Sequence, residues 1–222
     1  MAGLGYKTFA AGEILTAANL QGYATDQSVM VFESSAARTT ALAAPSQGMV
    51  SFLEDSGTTW VYYDTYSVSN PGGAKTAGWY PTFGAVFFAT ATRSAVSGTS
   101  YAVGASGFAY TELTDTLGWH SPSVNPDRII PNVEGIYRAT VSAQFASNAT
   151  GSRDADLQDT GTDLATFYGT GVTVRNFSMT GMAYMNGTSS DYFNVANLRQ
   201  NSGGALSVIV QVMVEYVRPS IA

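Results

Sequence analysis

The chain has 222 residues, a formal charge of −6, no cysteine, and a composition in which 45% of residues are apolar and 12% charged. That length holds one large or two small domains with a real core, and the charged share is about half the usual one. No basic run supplies a phosphate-neutralising footprint for nucleic acid. No stretch approaches the ~20 apolar residues of a membrane span, and without cysteine there is no disulfide and no thiolate metal site.

The first nine residues lack an apolar signal-peptide core, so synthesis in a cytoplasm is expected. Abundant Gly (23), Tyr (13) and Phe (11) suit an all-β chain with many turns. Low charge also suits a subunit that buries surface against copies of itself.

In chain order, Thr16 reads as the N-cap of a helix that runs to about residue 27, with Ile14 and Leu15 placed to staple its first turn. Residues 29–32 read as a short strand. A second helix, 35–42, stops before Pro45. Residues 48–54 and 59–64 form a hairpin around Asp55-Ser56-Gly57. The stretch 65–77, centred on Asn70-Pro71-Gly72-Gly73, reads as a surface loop.

From residue 84 the pattern is nearly pure β. Strands are expected at 85–92, 101–103 and 108–113. Gly135 then supplies a tight turn with positive φ and feeds a long alternating strand. Ile136, Arg138, Thr140, Ser142 and Gln144 share one face of it, and Tyr137, Ala139, Val141, Ala143 and Phe145 the other. Further strands are expected at 164–168, 172–179, 182–185, 192–198 and 206–217, with turns at Asn186-Gly187 and Asn201-Ser202-Gly203-Gly204. Many short strands at fairly even spacing indicate a sandwich or barrel, with eight to ten strands in two sheets.

Candidate chemistry is sparse. His120 is the sole histidine, which excludes a multi-histidine metal site within one chain. It reads first as a loop residue satisfying local hydrogen bonds. Beside Trp119 and Pro122 it also offers a sugar-binding spot, and in a trimer three copies are placed to meet on the axis around an ion. Asp154, Asp156, Asp159 and Asp163 offer oxygen ligands for calcium but lack the twelve-residue loop spacing, so a solvated loop is the expectation. Gly169-Thr170-Gly171 is no phosphate loop, since neither helix nor lysine follows it. No cofactor is expected. Phe87, Phe88, Tyr137, Phe145, Phe167, Phe177, Phe193 and Tyr216 are expected to divide between sandwich core and subunit interface.

Two resemblances add to this reading. The motifs GYKTFAAGEILTAANLQGY (5–23), QSVMVFESSAARTTAL (27–42), PSQGMVSFLEDSGTTWVYYD (45–64) and GWYP (78–81) resemble a small module at the front of virion proteins of phages infecting actinobacteria. The stretch 108–153, with GWH at 118–120, NPDRI at 125–129 and the strand from Gly135, resembles the complement and tumour-necrosis-factor type jelly roll of phage structural proteins. ALSVIVQVMVEYVRP (205–219) is similar to that family's closing strand. The resemblance implies a mainly β protein: a small α+β virion-attachment module, 1–81, before an antiparallel jelly-roll sandwich, 84–222, that trimerises and binds.

It further implies a homotrimeric virion protein assembled in the bacterial cytoplasm, not an enzyme. The implied role is a minor tail protein, a short fibre or tip component contacting the host surface. The alternative is a capsid decoration or head-fibre protein, and a remote third a cell-wall glycan hydrolase. Implied partners are further copies of the chain, other tail or capsid proteins and host cell-surface glycan, with neither nucleic acid nor membrane insertion. Ile14, Leu15 and Leu20 are the docking candidates. Gly135, Tyr137, Phe145 and Tyr216 are the candidates for the fold or trimer core.

Overall fold

A computed structural model describes residues 10–14, 16–23, 28–64, 77–170 and 176–219. The chain divides into two compact units that meet in sequence at Gly84 and Ala85. Among the described residues no helix is long and apolar enough to cross a membrane.

The first unit contains helices α1 (Ala17–Tyr23) and α2 (Ser35–Ala41) and strands β1 (Val29–Phe32), β2 (Val50–Leu53), β3 (Thr58–Tyr63) and β4 (Gly78–Phe83). Thr16 Oγ1 caps α1 by accepting from the Asn19 amide at 3.1 Å. The helix ends at Tyr23, and residues 24–27, expected to extend it, lie outside the described residues, as does 65–76 of the expected loop. Ser34 caps α2 in the same way, accepting from Ala37.

The sheet runs β1-β2-β3-β4. β2 and β3 are the expected hairpin, closed at Gly57 with φ +62. β1 instead pairs parallel with β2. A parallel pair cannot be joined by a tight turn, so the chain crosses over through α2. β4, which begins with the GWYP motif, was not assigned as a strand from the sequence; it lies at the sheet's edge, where Pro81, which gives no ladder donor, is tolerated.

Arg38 ties α2 to the sheet. It is buried, donates to Ser51 Oγ at 3.2 Å, and lies over the Trp60 and Trp79 rings at 5.2 and 4.3 Å. Burial pushes its guanidinium down to about 10, and Asp55 opposes that.

The second unit contains β5 (Val86–Ala95), β6 (Ser100–Tyr101), β7 (Thr111–Asp115), β8 (Gly135–Phe145), β9 (Ser152–Asp159), β10 (Thr162–Thr170), β11 (Asn176–Met185), β12 (Phe193–Gln200) and β13 (Leu206–Arg218). They form a five-stranded sheet, β11-β8-β13-β5-β7, and a four-stranded sheet, β10-β9-β12-β6, with antiparallel pairing throughout. The chain changes sheets after β5, β6, β8, β10, β11 and β12, and only β9 and β10 are a hairpin within one sheet. This wrapping is a jelly-roll sandwich. The alternating face of β8 expected from sequence is the buried one: Tyr137, Ala139, Val141, Ala143 and Phe145 meet Ala155, Leu157, Phe193, Val195 and Leu198 in one core.

Four local expectations are corrected. Gly135 is not a positive-φ turn residue; it is the first residue of β8. The acidic stretch is a strand: β9 turns Arg153, Ala155 and Leu157 inward and its carboxylates outward. Residues 180 and 181, expected between two strands, belong to the single strand β11, where Gly181 lets Leu164 of β10 approach. Phe108 is buried in a turn, and the third strand of the unit begins only at Thr111.

Candidate functional site

His120 is a buried structural group. Its side chain is 2% exposed, Nδ1 lies 2.5 Å from Glu112 Oε1, and Nε2 lies 2.9 Å from the Pro126 carbonyl oxygen. A carbonyl only accepts, so Nε2–H donates there, while Nδ1 faces the Glu112 carboxylate. Both nitrogens are engaged, which removes the ring from ion binding on an axis. Glu112, eight residues away, is a longer-range partner than the expected local ones. Asp115 fixes the backbone by accepting from the Trp119 and His120 amides at 2.8 and 2.9 Å. Trp119 is 1% exposed and donates through Nε1 to Asn132 Oδ1. Its faces are therefore not available to stack on a sugar, although a shallow pocket of about 300 Å³ opens beside it between residues 118–132 and the turn at Gly187.

Gly135, Tyr137, Phe145 and Tyr216 all lie in the sandwich interior. Tyr137 meets Trp119 and Tyr216 edge-on, each at 5.2 Å, and its hydroxyl donates to the Val133 carbonyl at 2.6 Å. Burial pushes that phenol well above its usual range. Phe145 packs on Phe177 and under the Arg153 guanidinium. In the first unit, Ile14 and Leu20 are exposed, 81% and 49%. Leu15 lies outside the described residues.

The two outer faces of the sandwich differ in chemistry. The four-stranded sheet is polar and charged outside. Asp154 pairs with Arg199 at 2.9 Å, Asp156 accepts from Asn197 at 2.7 Å, and Asp163 accepts from Gln158 at 2.8 Å. Asn197, with φ +51, sits at a register shift that turns both Val195 and Leu198 inward. The five-stranded sheet is almost free of charge outside. On the outward positions of β5, β8, β11 and β13 the ionic side chains are Arg138 and Glu215, which pair with each other, and Arg218 at the end of β13 opposite Ile136.

The rest of that face is Thr, Ser, Gln and Asn interspersed with exposed Ile209, Met182 and Val217. A groove of about 390 Å³ crosses it between Ser142, Gln144, Asn176, Ile209 and Gln211. Sequence reasoning placed the strands and passed over this surface. The signal was present in β13: Leu206–Arg218 is apolar at both parities for much of its length, as in strands covered on both faces. Among the described residues no three His, Asp or Glu side chains gather into a metal site.

No family model and no curated protein matches the chain. Among solved structures it is similar to the globular domain of zebrafish complement 1qA protein at 12% identity. That match covers 60% of this chain and 98% of the other, with a TM-score of 0.42. It is also similar to the PRD1 vertex protein P5, at 14% identity over 60% of this chain and 97% of that one, with a TM-score of 0.41. A third is murine APRIL, at 12% identity over 56% and 98%, with a TM-score of 0.34.

Proposed function

We propose that this chain is a structural and binding protein of a bacteriophage particle. It assembles as a homotrimer through the outer face of its five-stranded sheet and serves as a minor tail protein, a short fibre or tip component that contacts the host surface. The observation that carries the assembly is the chemistry of that face, sparsely charged and partly apolar where the opposite face is ionic. Four long strands and one short one, spaced ~4.8 Å apart with ~3.3 Å per residue, offer roughly 800 Å², which matches the ~800 Å² that each partner gives to a stable interface. The phage assignment is supported by the sequence motifs at 5–81 and 108–153.

The role is binding, not catalysis. Glycosidase chemistry needs two carboxylates facing across a cleft, whereas Glu112, Asp154 and Glu215 are each engaged by His120, Arg199 and Arg138. Incubating the protein with host wall should release no sugar; release would overturn this reading. Averaged images of the whole virion should place its density at the tail tip. Density repeating on the shell lattice would replace the tail role by capsid decoration.

A further inference from the structure

We infer that the free edge of β1 is the docking strand of the first unit, and that it takes up an extended apolar segment of another protein carrying a basic residue at one end. The inference rests on the virion-attachment reading of that unit and names the surface and the partner's chemistry.

Among the described residues no strand pairs with the outer side of β1, and its side chains are apolar. Val29 and Val31 are 59% and 61% exposed. They lie on the sheet face opposite α2, since Arg38 meets Ser51 and Trp60, whose partners across the ladder put them with Met30 and Phe32. The register carries this face inward through half-buried Val50, Phe52 and Val61.

The backbone is directed outward as well. The Glu54 amide donates to the Phe32 carbonyl at 2.9 Å, so the Phe32 groups face β2. N–H and C=O of one residue point the same way in a strand and alternate along it, so those of Val31 and Val29 face away from β2. A strand satisfies such a row and a helix does not. The other edge is protected: β4 carries Pro81, a device that blocks strand addition. β1 carries no proline and no charge.

Charge decides the partner. Glu33, Glu54 and Asp55 are exposed together at one end of this edge, joined by the Asp55 amide donating to the Glu33 carbonyl. Among the described residues of this unit Arg38 is the sole cation, and it is buried on the opposite face. The incoming segment therefore supplies the cation that the described residues of this unit do not offer to these carboxylates on this face.

The test uses the full-length protein and two labelled peptides of alternating valine and threonine, one ending in lysines and one in glutamates. Fluorescence anisotropy should show the lysine-ended peptide binding about tenfold tighter at low salt, with the preference shrinking as salt screens it. Val31→Pro, which removes an outward N–H and no β1–β2 bond, should abolish binding. Val31→Lys, which leaves the backbone intact, should weaken it, with both variants melting like the parent. Equal affinity for the two peptides, binding of neither, or binding unchanged in folded Val31→Lys overturns the inference. A fall in oligomer mass in Val31→Lys also overturns it, by making a second copy the occupant. Particle incorporation is scored separately. A variant that loses the peptide yet still enters particles leaves the docking edge standing and removes the attachment reading.

Discussion

Tyr216 occupies the space that a side chain at position 135 would need. A Cβ on Gly135 would lie 2.4 Å from the Tyr216 ring and 2.8 Å from the Arg218 carbonyl oxygen. Overpacking of this kind costs about 1–3 kcal/mol. Gly135→Ala should lower the melting temperature and Gly135→Val should lower it further, and Tyr216→Leu added to Gly135→Ala should recover part of the loss in a double-mutant cycle. Strict additivity would show that the ring is not the obstacle. Arg38 presents a different balance. Its stem and planar head cover two tryptophans, while its charge is desolvated. Lysine keeps the charge and loses the stacking; methionine keeps apolar cover and removes the charge. Arg38→Lys should therefore accelerate amide hydrogen exchange in β2 and β3 more than Arg38→Met does.

Among the elements, the β9–β10 hairpin escaped sequence reading for a local reason. Its turn is Thr160-Gly161 with φ of 49 and 81, a pair of positive values that Asn-Gly or Asp-Gly ordinarily supplies. A β-branched residue there gives no such signal, and the flanking aspartates resemble a solvated loop. Burial holds the Asp159 carboxyl above the usual range; the Thr160 hydroxyl opposes this and Asp191 adds to it. The folded chain thus binds this proton more tightly than the unfolded one, in which Asp titrates near ~4. The resulting stabilisation is complete below the unfolded value and is lost as pH rises through the folded one. Asp159→Asn should accordingly melt above the parent at neutral pH, with the gap closing below about pH 4. Calorimetry at both pH values checks the sign, and a gap that widens in acid would contradict it.

For the whole molecule, the contrast between the two outer faces is the observation with the most consequence. A charge placed on a surface that is covered in the assembly is left desolvated and unpaired, a loss of several kcal/mol. On the proposed assembly, Ile209→Glu, on the sparsely charged face, should convert trimers into folded monomers, as read by light scattering with circular dichroism. Tyr168→Glu, at an exposed position of β10 on the other sheet, should leave the trimer unchanged. If Ile209→Glu remains trimeric, the copies meet elsewhere.

The residues by themselves determined what depends on neighbours in sequence. The period-two alternation of β8 set its buried face, Thr16 marked its helix, and Asp55-Ser56-Gly57 and Asn186-Gly187 marked their turns, because each signal is carried by one short segment. The tertiary structure decided what depends on approach between distant segments. Gly135 is glycine because of Tyr216, eighty-one positions further on; His120 is buried because Glu112 and Pro126 meet both its nitrogens; β1 runs parallel to β2 because α2 carries the chain across. The nearly uncharged outer face is assembled from residues of β5, β8, β11 and β13 that only the strand order of the sandwich brings side by side, so β13, apolar at both parities, could announce its own share of it but not the whole.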